Sequence, residues 1–400
     1  MVNRTLPDGW ELSTLGESCD VVLGQSPSSD TYNVDGIGLP FYQGKTEFGD
    51  LYPTPEKWCS SPKKLAEKDD ILISVRAPVG PTNLCPEKSC IGRGLAALRP
   101  KNMPTKYFLH YLRYIEKEWD SKATGTTFKA ITGDVLRNQE IPLAPLPEQE
   151  RIVNRIEELL SDLEAGVAAL ERVQIGLQRY KASVLKAACE GKLVDGKSEI
   201  EEGKLPEGWR WVEVGELCDC IVPNRDKPKS FSGDVPWITL PDFGESIEIR
   251  ESKSGLGLTE DEIKQYRAKV IPAGSVVMSC IGRFGITAVA TRNIVVNQQL
   301  HAFLIPENYL DARYLAYALR TQIPYMEKLA TATTIAYLNK GNCNSVPIPL
   351  PPLDEQRRIV AEVERRLSVV GEVESAVEVG LVRAGRLRQS VLRSAFEGRL

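Results

Sequence analysis

A long run of heptads constrains this chain more than anything else in it. Leu146-Pro147-Glu148-Gln149-Glu150-Arg151 opens the run, and no proline follows until after Gly191-Lys192-Leu193. Apolar side chains recur at Ile152, Ile156, Leu159, Leu163, Leu170, Val173, Leu177, Tyr180 and Val184. Steps of four and three predict an a/d seam, one face of a long helix buried against another helix. The partner lies in the same chain. Leu353-Asp354-Glu355-Gln356-Arg357-Arg358 opens a second run, with Ile359, Val363, Val370, Val373, Val377, Leu387 and Val391 on its seam. One offset of 207 residues carries Ile152 onto Ile359 and Val184 onto Val391. The endings also match, Ser183 to Leu193 against Ser390 to Leu400. The chain is a tandem duplication.

The segments before the helices repeat as well. Leu6-Pro7-Asp8-Gly9-Trp10 opens the first and Leu205-Pro206-Glu207-Gly208-Trp209 the second. Alternating apolar positions follow (Val21, Leu23; Val212, Val214, Ile221), reading as short strands between long loops. Asp70 to Arg76 corresponds to Ser275 to Cys280 as a central strand, and Gly94 to Leu98 to Gln299 to Phe303. A short amphipathic helix is predicted over Tyr107 to Arg113 and over Tyr314 to Arg320. The loops Ala123 to Lys129 and Ala330 to Ala336 come next. A strand and proline hinge end each repeat, at Ile141 to Pro145 and Ile348 to Pro352. The expected organisation is a domain at 1–145, a helix at 146–193, a linker at 194–204, a domain at 205–352 and a helix at 353–400. The helices are expected to pair antiparallel, related by a pseudo-two-fold. At 1.5 Å per residue, roughly 40 helical residues make a rod of about 60 Å, a ruler between two similar domains.

No stretch of about twenty apolar residues exists to span a membrane. The N-terminus lacks a signal peptide's apolar core, and nine cysteines without a framework fit a reducing cytoplasm. The net charge of −4 speaks against a nucleic-acid binder, because phosphates call for positive charge. That objection is limited, since basic residues can be confined to one face.

Catalytic motifs fail on context. Gly191 to Ser198 matches G-x-x-x-x-G-K-S, but it follows a helix, and Gly203, Pro206 and Gly208 block a helix after it. It reads as a helix terminator entering a linker. Gly92-Arg93-Gly94-Leu95-Ala96-Ala97 resembles a dinucleotide fingerprint, yet Pro100 and Pro104 forbid the required helix. His110 and His301 lie far apart, with no Cys-x-x-Cys, so no metal site is expected. Cys85, Cys90, Cys218 and Cys220 read as buried small apolar residues. No catalytic residue is assigned.

Polar loop chemistry remains. Asn297, Gln298 and Gln299 sit at a strand edge, and such amides pair bidentately with adenine. A tight turn can equally satisfy them. Arg76, Arg93, Arg283 and Lys129 suit guanine edges or phosphates. Gln43, Lys45, Thr126, Thr127, Thr333, Thr334 and Asn339 complete the candidates, with Arg225 and Lys227 in a local basic patch. Any one alone is better read as a solvated loop residue; recurrence in two repeats raises the group.

Taken together, the repeated Leu-Pro-Asp/Glu-Gly-Trp openings, the Pro145 to Val153 helix start and the matching helix ends resemble the specificity subunit of type I restriction-modification enzymes, over essentially the whole chain. Gly38 to Lys45 and Ser74 to Gly80 look like one common subtype of target recognition domain. Val235 to Thr239 and Asn297 to Gln299 look like another. The resemblance implies an α+β fold: two mixed α/β target recognition domains joined by two long antiparallel helices as a coiled-coil spacer. It implies that each domain reads half of an asymmetric bipartite site in double-stranded DNA. The helices would dock two modification subunits. This chain would bind no cofactor; the modification subunits would use S-adenosylmethionine to methylate adenine, and restriction subunits ATP with Mg2+. Two rivals of other classes are an ATPase built on Gly191 to Ser198 and a scaffold whose domains bind proteins.

Overall fold

The computed structural model describes residues 6–125, 129–193, 204–223, 227–244, 246–330 and 335–400. The chain divides into two compact units, Met1–Glu171 with Glu378–Leu400, and Arg172–Val377. Each unit therefore combines one globular domain with one end of each long helix.

In the first unit an antiparallel sheet runs in the order Cys19–Leu23, Leu95–Pro100, Ile71–Ser74, Thr82–Leu84. A second sheet is mixed, because Leu39–Tyr42 lies parallel to Ser89–Ile91. Glu11–Thr14 pairs with Glu140–Leu143, so the domain's first and last strands close on each other. The second unit repeats the plan. Asp219–Ile221, Leu300–Leu304, Val276–Ser279 and Thr287–Ala290 form the matching sheet, with Glu248–Ile249 added at its edge. Val235–Ile238 lies parallel to Ile294–Val296, and Arg210–Glu213 pairs with Pro347–Leu350. Ile71–Ser74 and Val276–Ser279 are buried along their whole length, each an apolar run closed by a buried serine.

The amphipathic helices are Thr105–Tyr114 and Ala312–Thr321. Tyr107 Oη donates to the Pro142 carbonyl (2.9 Å) and Tyr314 Oη to that of Pro349 (2.7 Å), tying each helix to the hinge strand behind it. Val214, read from sequence as strand, begins a one-turn helix, Val214–Leu217, where Glu216 caps the Glu213 N–H.

The two long helices, Leu146–Cys189 and Leu353–Phe396, have 44 residues each and stop four residues short of the sequence expectation. In the first unit Ile152, Val153, Ile156 and Leu160 share a core with Leu392, Ala395 and Phe396. In the second, Val184, Ala188 and Cys189 share one with Ile359, Val360 and Val363. Start meets end in both, so the helices run antiparallel. The uniform seam predicted from sequence needs correction. Val173, Tyr180, Val373 and Leu387 are 42, 43, 38 and 45 % exposed. Yet Val370, Val377 and Ala384 are only 3, 4 and 8 % exposed along the middle of the second helix, so its seam is partly buried there while Val173 and Tyr180 of the first are open. A two-helix pair leaves much of each perimeter open to solvent.

Both helices end in a Schellman turn. The Lys192 N–H donates to Ala187 and the Gly191 N–H to Ala188; Arg399 and Gly398 do the same to Ser394 and Ala395. Gly191 (φ 70°) and Gly398 (φ 69°) take the left-handed conformation. The packing is as demanding as the torsion. A Cβ on Gly191 would stand 2.2 Å from Pro206 Cγ, and one on Gly398 2.3 Å from Pro7 Cγ. These prolines open the turns that bury Trp209 and Trp10, closed by Trp N–H bonds to the proline carbonyls at 3.1 Å. The two repeated sequence signatures thus meet in space, helix ending on domain opening.

The helix starts are pinned by buried glutamines. Gln356 Nε2 donates to the Pro351 and Tyr309 carbonyls (2.9 and 3.0 Å), and its Oε1 accepts from the Asp311 N–H at 2.8 Å. Gln149 donates to the Ala144 carbonyl (2.7 Å), but its Oε1 lacks a partner among the described residues. The counterpart of Asp311 is Pro104, which has no N–H to give. Gln356→Leu therefore orphans three groups and should cost about 3 kcal/mol, whereas Gln149→Leu orphans one and should cost about 1 kcal/mol. Urea unfolding of the two variants checks this; equal losses would contradict it.

Candidate nucleic-acid interface

In each domain a turn that carries sequence candidates lies where the central strands leave the sheets. Gly92-Arg93-Gly94 connects Ser89–Ile91 to Leu95–Pro100, and Asn297-Gln298-Gln299 connects Ile294–Val296 to Leu300–Leu304. Three backbone hydrogen bonds hold the first turn: Gly92 N–H to Tyr42, Leu95 N–H to Gly92, and Val75 N–H to Gly94. The second has the same three, Asn297 to Ile238, Leu300 to Asn297, and Cys280 to Gln299. Arg93 and Gln298 thus occupy equivalent, exposed tips.

In the first unit this turn completes a pocket of about 190 Å³ lined by Gln43, Gly44, Lys45, Ser74, Arg76, Ala77, Arg93 and Gly94. Four sequence candidates come together here, and no carboxylate lines the pocket. Gln43, Lys45, Arg76 and Arg93 are exposed, and the three cations have no ion-pair partner among the described residues. A Cβ on Gly94 would meet the Gln43 carbonyl oxygen at 2.3 Å, so glycine there lets the Gln43 loop close over the turn. Ser74, missed from sequence, donates to the Arg76 carbonyl at 2.9 Å and holds the loop that presents Arg76.

Other candidates are committed locally. Lys129 Nζ is paired with Asp120 at 2.6 Å. Asn297 Oδ1 accepts from the Gln299 N–H and its Nδ2 donates to Gln299 Oε1, both at 3.1 Å. Those two amides shape the turn, and Gln298 is the exposed one. Asn339 Oδ1 accepts from the Asn342 N–H (2.8 Å), capping Lys340–Asn344. Arg283 is exposed on a turn fastened by the Gly282 N–H to the Ala336 carbonyl at 2.9 Å. Lys227 is exposed. Thr126, Thr127, Arg225, Thr333 and Thr334 lie outside the described residues, as does residues 194–198 of the phosphate-loop match.

All nine cysteines are free and buried. Burial pushes the Cys85 thiol up to about 11 and those of Cys90, Cys218 and Cys220 to about 12, in keeping with the inert apolar role read from sequence. Cys343 differs. Hydrogen bonding with Cys280 and with His301 lowers the pKa of its thiol, because the fold brings these distant residues together.

Two separate stretches, residues 7–172 and 206–366, match the model of the type I restriction modification DNA specificity domain, and the chain belongs to that family. It is 40% identical over 192 residues to the putative type I restriction enzyme MjaX specificity subunit of Methanocaldococcus jannaschii, covering 47% of this chain and 44% of that protein. The EcoBI specificity subunit of Escherichia coli is 22% identical over 99% of this chain and 87% of its own length. Among solved structures, a chain from a type I R-M system superposes with a TM-score of 0.75 at 25% identity, covering 99% of this chain and 100% of that one. The HsdS subunit of Thermoanaerobacter tengcongensis gives 0.56 at 25% identity, covering 100% and 99%. Members of this family are DNA-recognition components, not catalysts, and bring no catalytic cofactor of their own. No helix among the described residues is long and apolar enough to cross a membrane.

For a family that binds DNA, the exposed pocket cations should appear in the salt dependence. Arg76→Ala should lower the slope of log K against log[salt] by about 1, while Lys129→Ala, already spent on Asp120, should leave it unchanged. Fluorescence anisotropy across a salt series measures both; a slope lost at Lys129 but not at Arg76 would reverse the assignment.

Proposed function

We propose that each globular domain, 1–145 and 205–352, reads one half of an asymmetric bipartite site in double-stranded DNA. The observation that carries this is the shared turn, built by the same three backbone bonds in both repeats but tipped with Arg93 in one and Gln298 in the other. An arginine tip suits guanine O6/N7 and a glutamine tip suits adenine N6/N7 in a major groove. Equal scaffolds with unequal tips fit unequal half-sites. Gln43, Lys45 and Arg76 surround the first tip, and Arg283 and Lys227 serve the second domain. Thr126, Thr127, Arg225, Thr333 and Thr334 remain proposed contacts.

The long helices would set the unread spacer between the half-sites and dock two modification subunits. Exposed apolar side chains at Ile175, Val369, Val379 and Val382 suit that docking. The modification subunits would carry S-adenosylmethionine and methylate adenine in the cytoplasm. Restriction subunits would add ATP and Mg2+ for cleavage. Basic surfaces on the partners would offset the negative net charge of this chain.

The test is selection of preferred sites from a randomised duplex pool by the chain in complex with its modification subunits. Arg93→Ala should relax preference in one half only and Gln298→Ala in the other, each by about tenfold or more. Loss in both halves from either change, or in neither, would defeat the reading.

A further inference from the structure

The core of the second domain holds a cluster that the first domain lacks. Cys280 follows the strand Val276–Ser279, His301 lies on Leu300–Leu304, and Cys343 on the helix Lys340–Asn344. Cys343 Sγ stands 3.6 Å from Cys280 Sγ and 3.3 Å from His301 Nδ1. The three ligand atoms all lie within 4.8 Å of one another. The residues are 0, 5 and 0 % exposed. Cys220 joins them on the same face of the sheet. It sits opposite Phe303, two residues along the strand from His301.

The first domain shows what the fold itself requires at these places. The matching positions, fixed by strand register and by the shared turn bonds, are Val75 for Cys280, Ala96 for His301, Leu136 for Cys343 and Val21 for Cys220. All four are apolar, and Val75, Ala96 and Leu136 are buried. One cysteine in place of a valine is ordinary core variation. Exchanging four apolar residues at one spot for three thiols and an imidazole changes the chemistry of the spot. The imidazole is the costly member, since a buried polar ring needs strong partners and thiols are weak ones. An alanine fills the same position in the sister domain, so packing does not demand it.

The two separations from Cys343 fit a tetrahedral ion. With zinc–sulfur bonds of about 2.3 Å and zinc–nitrogen bonds of about 2.0 Å, ligand atoms stand roughly 3.5–3.8 Å apart. We propose that Cys280, His301 and Cys343 bind a structural zinc ion in the second domain, with Cys220, whose Sγ lies outside that close group, turning in as fourth ligand. On binding, the three thiols release their protons to solvent and the imidazole binds neutral, giving a closed Cys₃His shell with no open position for chemistry. The ion would fasten together the strand end leading to Arg283, the strand leaving the Gln298 turn and the helix capped by Asn339. The first domain would fix the same elements by apolar packing alone. The ion-binding claim does not depend on the DNA-reading claim, because its readout is metal content.

The full chain, expressed in zinc-supplemented medium and purified under reducing conditions without chelator, is assayed by elemental analysis. About one zinc per chain is expected. The triple variant Cys280→Val, His301→Ala, Cys343→Leu carries the first domain's own core residues, so it should keep the fold by circular dichroism and lose the zinc. Cobalt added to the zinc-stripped wild type should give the visible bands of tetrahedral thiolate coordination, a result independent of any variant. Wild type free of zinc and without cobalt bands would overturn the proposal. So would zinc retained by the triple variant, or a Cys280–Cys343 disulfide found by mass spectrometry in the protein as purified.

Discussion

Everything in this fold depends on two places where a helix ending lies against a proline. Gly191 sits on Pro206 and Gly398 on Pro7, at distances that no side chain could share. The glycine does two things there. It supplies the left-handed torsion that stops a 44-residue helix, and it removes the atom that would hold the domain's opening turn away. The tryptophan four residues into each opening is then buried behind the contact. Because each helix ends on the opening of the other repeat, neither repeat is complete alone. The first domain is closed by Phe396, whose ring packs against Tyr107, Tyr111 and Tyr114 at 5.2–5.8 Å.

That reciprocity explains why the sequence was so legible at its helices and openings. Leu-Pro-x-Gly-Trp and the glycine-ended helix are written in local residues with local reasons, and both recur. The glutamines at the helix starts were visible as a pattern, but the role of Gln356 depended on Tyr309 and Asp311, far away in sequence. The heptad reading was too even. It assumed equal burial all along both seams, whereas Val173, Val373 and Leu387 stand open while Val370 and Val377 are buried. Val214 was misplaced because one apolar residue in an alternating run cannot distinguish a strand from a capped helical turn.

The site was legible to the level of loops and less so to the level of atoms. Gln43, Lys45, Arg76 and Arg93 are spread over fifty residues and come together because Leu39–Tyr42 runs parallel to Ser89–Ile91 and Ile71–Ser74 pairs with Leu95–Pro100. Asn297 and Gln298 looked equivalent as a pair of amides. The turn separates them, one occupied by Gln299 and one exposed. Cys280, His301 and Cys343 carry no short spacing at all, so a scan for linear metal motifs had nothing to find.

Duplication supplies the functional logic: one scaffold, used twice, with the tips free to differ. The most direct test is the methylation map of DNA from cells carrying this chain and its neighbouring modification subunit, read by single-molecule sequencing. The account predicts a split motif with methylated adenine in both halves, vanishing when the chain is deleted. A continuous motif, or methylation indifferent to the deletion, would contradict it.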